Sequence, residues 1–200
     1  GATGLNLTTT ELAYIQDGWS QIIFGKAGTT GALNVGAKTW TDNVRFISGL
    51  GLMTVAAQTM GANNLTLSTN SNLTLTGNLS GTGQLTIEGS TNTTNIGVGT
   101  GQVGTLNLTS TELGYFVAGW SGIQIGNNTS TADINIGAKS WSSPMTFMTR
   151  GNVILNGAQS STLNSGTSLA FVTLAGSFVN NAGATPISAG TGTARYLIYS

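Results

Sequence analysis

Residues 5–20 read LNLTTTELAYIQDGWS, and residues 106–121 read LNLTSTELGYFVAGWS. The likeness runs without a gap from 5–46 onto 106–147, an offset of 101, with 20 of 42 positions identical. NVGAKTW at 34–40 is answered inside it by NIGAKSW at 135–141. A duplication of this period is the signature of an architecture that stacks similar units in one direction, and it outranks any local motif in deciding the fold.

Working outward from the duplication, short cores of the form apolar-x-apolar begin near Leu5, Ile22, Leu33, Val44, Met53, Leu65, Leu73, Leu85, Ile96 and Leu106. Their middle residues are polar (Asn34, Arg45, Thr54, Thr66, Thr74, Thr86, Asn107), the period-2 alternation of a strand with one face buried. Two such strands make a unit of about 21 residues. The connections GTTGA (28–32), STNSN (68–72), TGNLSGTGQ (76–84) and GSTNTTN (89–95) supply Gly and Asn where a corner needs them. The chain therefore reads as all-β, and two architectures fit: a parallel β-helix with coils of about 20 residues, or tandem antiparallel β-sandwich domains. The offset favours the β-helix, because it divides into five coils and returns the duplicated element to one face. The segment between the strands at Leu5 and Ile22 is longer than a corner, and a helical turn at 10–12 or a wider coil with an extra strand would fill it. After Asn156 the regularity loosens. The chain is expected to be one continuous segment over 1–200 of a longer protein, with internal modules of about 4–103 and 105–200.

Composition restricts function. Gly, Thr, Ser and Asn make up half of the 200 residues, while charged residues are 6% and cancel to zero. Such a chain has no electrostatic footprint for nucleic acid or an anionic membrane. Its longest apolar run, around 169–175, is too short to span a bilayer. Histidine and cysteine are absent, which removes Ser-His-Asp, Cys-His and His/Cys zinc chemistry. The six acids, Glu11, Asp17, Asp42, Glu88, Glu112 and Asp133, are dispersed, and the second copy replaces Asp17 by Ala118 and Asp42 by Ser143. Gly99, Gly101 and Gly104 match GxGxxG, but TLNLT follows, a strand where a dinucleotide site needs a helix. Neither catalysis, a metal nor a cofactor is expected.

The remaining candidates are aromatic and charged residues kept in both copies. Trp19, Trp40, Trp120 and Trp141, with Tyr14 and Tyr115, would form a platform for sugar rings if they face outward, and would close the interior if they face inward. Glu11 with Lys38, and Glu112 with Lys139, are the charged residues retained in both copies, read as structural pairs: an ion pair, or a carboxylate capping backbone amides.

The run LNLTTTELAYIQDGWSQIIFGKAGTTGALNVG (5–36) resembles repeat segments of large filamentous-haemagglutinin-like bacterial adhesins. The pattern that carries the resemblance is strand, T-E-L, G-W-S, I-x-x-G, a TG corner and another short strand. FVNNAGATPISAGTGTARYLIYS (178–200) resembles the segment that closes such regions before later domains. The resemblance implies a right-handed parallel β-helix (a β-solenoid), secreted to the bacterial outer surface or the extracellular matrix through an outer-membrane export partner. It implies a structural, adhesive stalk in cell adhesion, biofilm or host attachment, with glycans or neighbouring cells as partners. The other readings are a carbohydrate-binding module using the tryptophans and a subunit of a self-assembling extracellular fibre. Open coil ends would favour end-to-end self-association.

Overall fold

The structure, a computed structural model, describes residues 4–200. These form 23 short strands and two five-residue helices. Eight strands make one sheet, in the spatial order Ile22–Gly25, Val44–Ser48, Leu65–Thr69, Gln84–Glu88, Gly122–Gly126, Met145–Thr149, Thr167–Thr173, Arg195–Tyr199. Spatial order equals chain order, so the chain leaves this sheet after each strand and returns one place further along. On the way it visits a second group of strands and then a third.

The second group is a four-stranded sheet (Gly4–Leu7, Ala32–Val35, Met53–Val55, Leu73–Leu75) followed in the chain by a five-stranded one (Leu106–Leu108, Ile96–Val98, Ile134–Ile136, Val153–Leu155, Phe178–Asn180). The third is two three-stranded sheets, Leu79–Ser80, Gln58–Thr59, Lys38–Thr39 and Lys139–Trp141, Gln159–Ser161, Ile187–Ser188. Every strand pairing among the described residues is parallel. No sheet closes into a barrel. The chain is thus all-β with parallel sheets, and antiparallel sandwich domains do not describe it.

Register explains the composition. In the eight-stranded sheet Ile22, Val44, Leu65, Leu85, Ile123, Met145, Leu169 and Tyr196 lie side by side in one column. Two residues on, Phe24, Phe46, Leu67, Ile87, Ile125, Phe147, Phe171 and Ile198 form another. Away from the two ends both columns are buried and belong to one continuous hydrophobic core. Like residues stack in them: Phe24 on Phe46 with centroids 5.4 Å apart, and Phe147 on Phe171 at 5.5 Å. The polar residues between the columns face outward, as the alternation requires.

Corners follow a second repeated logic. The Asn43 side-chain oxygen accepts from the Asn64 N–H at 2.8 Å, and the Asn64 oxygen from the Gln84 N–H at 2.8 Å. A second file runs from Asn95 to Asp133, Asn152 and Ser177, each side-chain oxygen accepting from the next N–H at 2.8–3.0 Å. These amides sit where the chain enters a strand, so the ladders satisfy backbone donors that neighbouring strands do not reach.

Three sequence expectations change. Apart from the enlarged one described below, which meets the third group only through a Leu79–Phe116 bridge, each full circuit has three strands rather than two, the third being only two or three residues long. The duplicated Ile22 and Ile123 do recur in one column, but four steps apart instead of five. The spacings are 22, 21 and 20 residues and then 38, from Leu85 to Ile123. The long step holds the strands Ile96–Val98 and Leu106–Leu108, joined by a seven-residue return at 99–105. Beyond Asn156 the same sheets continue, with a register irregularity between Thr167 and Leu169.

Truncating Phe147 to alanine removes a fully buried ring from a stacked column and is expected to cost about 3–5 kcal/mol. Thr146→Ala, on the outward side of the same strand, is expected to stay within about 0.5 kcal/mol of the parent. Urea unfolding of both variants checks the inward–outward assignment.

Candidate functional site

The duplicated module supplies the side chains in question. Its first element is a helix, α1 (Thr9–Ala13) in one copy and α2 (Ser110–Gly114) in the other. Both are started by a capping box, in which a Thr and a Glu three residues later satisfy each other's backbone donors. The Thr8 hydroxyl accepts from the Glu11 N–H at 3.2 Å. The Glu11 carboxylate accepts from the Thr8 N–H at 2.9 Å and the Thr8 hydroxyl at 2.7 Å. The Glu112 carboxylate accepts from the Thr109 N–H at 3.1 Å and from the Thr109 hydroxyl.

Lys38 and Lys139 do not meet these glutamates. Their ammonium groups lie over the rings of Trp40 and Trp141, at 4.9 and 5.8 Å from the centroids. The ion-pair reading of Glu11–Lys38 and Glu112–Lys139 is therefore corrected: the glutamates cap helices and the lysines cover indoles. The ion pair present among the described residues is Arg45–Glu88 at 2.6 Å, which spans two circuits.

The aromatic platform is corrected as well. Trp40, Trp120 and Trp141 are buried and offer no ring face to a sugar. Each has its indole N–H satisfied inside. Trp40 donates to the Gln58 side-chain oxygen at 2.7 Å, and Trp141 to that of Gln159 at 2.9 Å. The Gln58 amide donates in turn to the Gly36 and Ala56 carbonyls at 2.9 and 3.0 Å, and Gln159 to Gly137 and Gly157 at 2.6 and 3.0 Å. Gln58 and Gln159 are again 101 apart, past the ungapped alignment. The echo AAQ at 56–58 against GAQ at 157–159 was the signal for them. Trp120 donates to the Leu79 carbonyl at 3.2 Å, and Tyr115 is half-buried. Trp19 and Tyr14 alone of the six are exposed.

All six carboxylates hold structural partners. Besides Glu11, Glu112 and Asp133, Asp17 accepts from the Thr41 hydroxyl at 2.6 Å and Asp42 from the Gly18 N–H at 3.2 Å. Glu88 receives Arg45 on one oxygen and the Asn127 amide, at 2.9 Å, on the other. No three residues of the His, Cys, Asp or Glu types converge among the described residues. No helix there is long and apolar enough to cross a membrane.

The glycine motif at 99–104 makes the return between the strands 96–98 and 106–108. Gly99 and Gly101 have φ of +93° and +76°. Next to them lies a groove of about 590 Å³ lined by Thr74, Thr100, Gln102, Asn107, Thr109 and Glu112 among others. Its one charged lining group, the Glu112 carboxylate, is already engaged by the cap.

A scan against protein-family models, a search of curated proteins and a search of solved structures each return no match. The reading of function therefore rests on this chain's residues.

Two outcomes test the module. Trp40→Phe leaves the Gln58 oxygen buried without a donor and is expected to destabilise by about 1–3 kcal/mol, with Trp141→Phe doing the same in the second copy. Denaturant midpoints report both. The bonds from Thr8 N–H and Thr8 hydroxyl hold the Glu11 carboxyl below its ordinary range. Because the folded value is the lower one, the cap's contribution is present above the unfolded value and fades as pH falls through the folded value. Amide exchange at Thr8 should accelerate over that acid window, and should no longer respond to pH there in Glu11→Gln beyond the intrinsic exchange rate.

Proposed function

We propose that this chain is a segment of a right-handed parallel β-solenoid and serves as the structural, adhesive stalk of a secreted, surface-exposed bacterial adhesin. The observation that carries the reading is the eight-stranded parallel sheet, in which chain order equals spatial order and two apolar columns continue from strand to strand. Side chains in such columns are shared between successive circuits, so each circuit stabilises its neighbours and length is gained by adding more. Few charges and a core continuous along the stack suit a spacer that holds a binding region away from a cell.

In this reading glycans or neighbouring cells are the adhesive partners, export uses an outer-membrane partner, and the working place is the bacterial outer surface or the extracellular matrix. A carbohydrate-binding role keeps one specific support, the exposure of Trp19 and Tyr14.

Cryo-electron microscopy of the chain tests the architecture. The expected particle is a short rod with an axial repeat of about 4.8 Å. A compact particle lacking that spacing would sink the solenoid. For the glycan reading, Trp19 emission is the probe, since the other three indoles are buried. A blue shift during titration with a bacterial or host polysaccharide supports sugar binding; an unchanged spectrum across a glycan panel removes it.

A further inference from the structure

The enlarged circuit opens a groove in the middle of the stack. In the first copy of the module the strands 4–7 and 32–35 pair directly. In the second, the strand 96–98 stands between their counterparts, 106–108 and 134–136. On its other side 106–108 has no ladder to 73–75, which belongs to a different sheet. The groove of about 590 Å³ is lined from both sides of that break. The strand 73–75 and its entrance give Thr74 and Asn72, the return at 99–105 gives Thr100 and Gln102, and the first turn of α2 gives Thr111 and Glu112.

These three parts of the chain hold one another in place. The Thr100 and Ser110 hydroxyls are bonded at 2.6 Å, which ties the return to the helix. The Gln102 side-chain oxygen accepts from the Asn156 amide at 2.8 Å, and the Asn156 oxygen accepts from the Asn181 amide at 2.9 Å. The Gln102 Nε2 is left as an oriented donor with no hydrogen bond among the described residues. Glu112 is 8% exposed, and its cap uses Oε2 alone. Its Oε1 accepts no bond there, and the side chains of Asn72, Thr74 and Thr111 make none among the described residues.

This lining selects a class of ligand. Leu73, its one apolar side chain, is buried, so a lipid or an apolar peptide anchor finds no wall to pack on. Glu112 is its one charged residue, which opposes phosphate, sulfate and carboxylate ligands, and a single carboxylate is too few for a metal ion. What remains is a set of neutral donors and acceptors around one carboxylate oxygen. Such a set complements a molecule whose many hydroxyls each donate and accept. The volume falls in the range of small-ligand sites, about 300–1,000 Å³.

We propose that this groove binds a saccharide, uncharged or bearing an amine. Glu112 Oε1 accepts from the ligand, Gln102 Nε2 donates to it, and the Thr74 and Thr111 hydroxyls complete the contact. An amine meets Glu112 in a charge-assisted bond, whereas a uronic acid meets it as a like charge. The inference rests on the reading of glycans as adhesive partners, but not on the Trp19 surface, which is a separate place on the chain. No tryptophan lines the groove, so Trp19 emission does not report on it.

The test is an amide NMR titration of the full chain with glucosamine, N-acetylglucosamine, glucose and glucuronate oligomers. The amides of Gly99, Thr100, Gly101 and Thr111 are expected to move with the amino and neutral sugars and to stay still with the uronate. Gln102→Ala should weaken binding about three- to tenfold, the loss of one neutral hydrogen bond. That change also frees Asn156, so Thr74→Val, which keeps the side chain's shape within a strand, repeats the test without disturbing the return. Both variants should keep the parent's circular dichroism. Binding that neither variant weakens, or a uronate that binds as tightly as the others, overturns the proposal. If the Trp19 indole signal moves while the groove amides stay still, the groove fails and the glycan reading stands. If no sugar moves any signal, the groove and the glycan partners fail together, while the stalk architecture is judged by its own test.

Discussion

Side-chain registry between parallel neighbours is the constraint on which everything else depends. Because strand residues alternate between faces, each return of the chain to the eight-stranded sheet must present the same parity, or the core turns out to solvent. The pairings keep that parity from Ile22 to Tyr196, although the residues between successive returns number anywhere from 20 to 38. Circuit length is free, then, while entry parity is not. The asparagine files at the strand entrances serve that requirement: Asn43, Asn64, Asn95 and Asn152 each bind the amide at which the next circuit starts its strand. A strand displaced by one residue would lose both its interior column and its entrance bond.

The enlarged circuit illustrates how a large insertion is absorbed. The strand 96–98 runs on one place ahead, the chain turns back through 99–105, and the strand 106–108 fills the place behind it, still parallel. A connection of seven residues is short for a parallel pair, which ordinarily takes a dozen or more. It succeeds here because the return lies flat on the strand it leaves. At Gly97, in the outward position, a Cβ would collide with the Asn107 side chain, and at Gly104 with the backbone of Gly97. The GxGxxG pattern thus serves a tight return between strands, Gly99 and Gly101 by their positive φ and Gly104 by a close backbone approach.

The features legible in the sequence are those with enough residues to show a period. All ten apolar-x-apolar starts fall at strands, and their polar middle residues face out, since three alternating positions already specify a face. The strands Lys38–Thr39, Gln58–Thr59 and Leu79–Ser80 are invisible by the same measure, because two residues cannot display an alternation. Dividing 101 evenly gave five circuits, whereas one circuit is nearly doubled. Sequence order also contains no hint that 106–108 would sit behind 96–98 in space. At the module, retention of Trp40 and Trp141 in both copies is consistent with their structural role, but their partners Gln58 and Gln159 lie a circuit away and outside the ungapped match. The capping function of Glu11 and Glu112 is local and follows from T-x-x-E. Pairing them with Lys38 and Lys139 assumed a contact that retention alone does not imply.

Trp19 and Trp120 show why a conserved position in a repeat does not carry one environment. Both follow the same helix and the same glycine, yet one is closed over Gly81 and the other faces solvent. What differs is the layer beneath, and a layered protein makes every end residue an interior residue lacking its neighbour. Exposure of an aromatic at such an end is therefore a different observation from exposure on a flank. A flank aromatic has its polar surroundings chosen for solvent, as Arg45 and the outward threonines are. An end aromatic keeps the surroundings of a core: backbone amides at Gln16 and Ser20 with no partner among the described residues, and an indole N–H whose copy is satisfied by a backbone carbonyl. A surface with those properties is shaped for another parallel strand, whose carbonyls would meet the free amides as the Leu79 and Gly83 carbonyls do in the second copy.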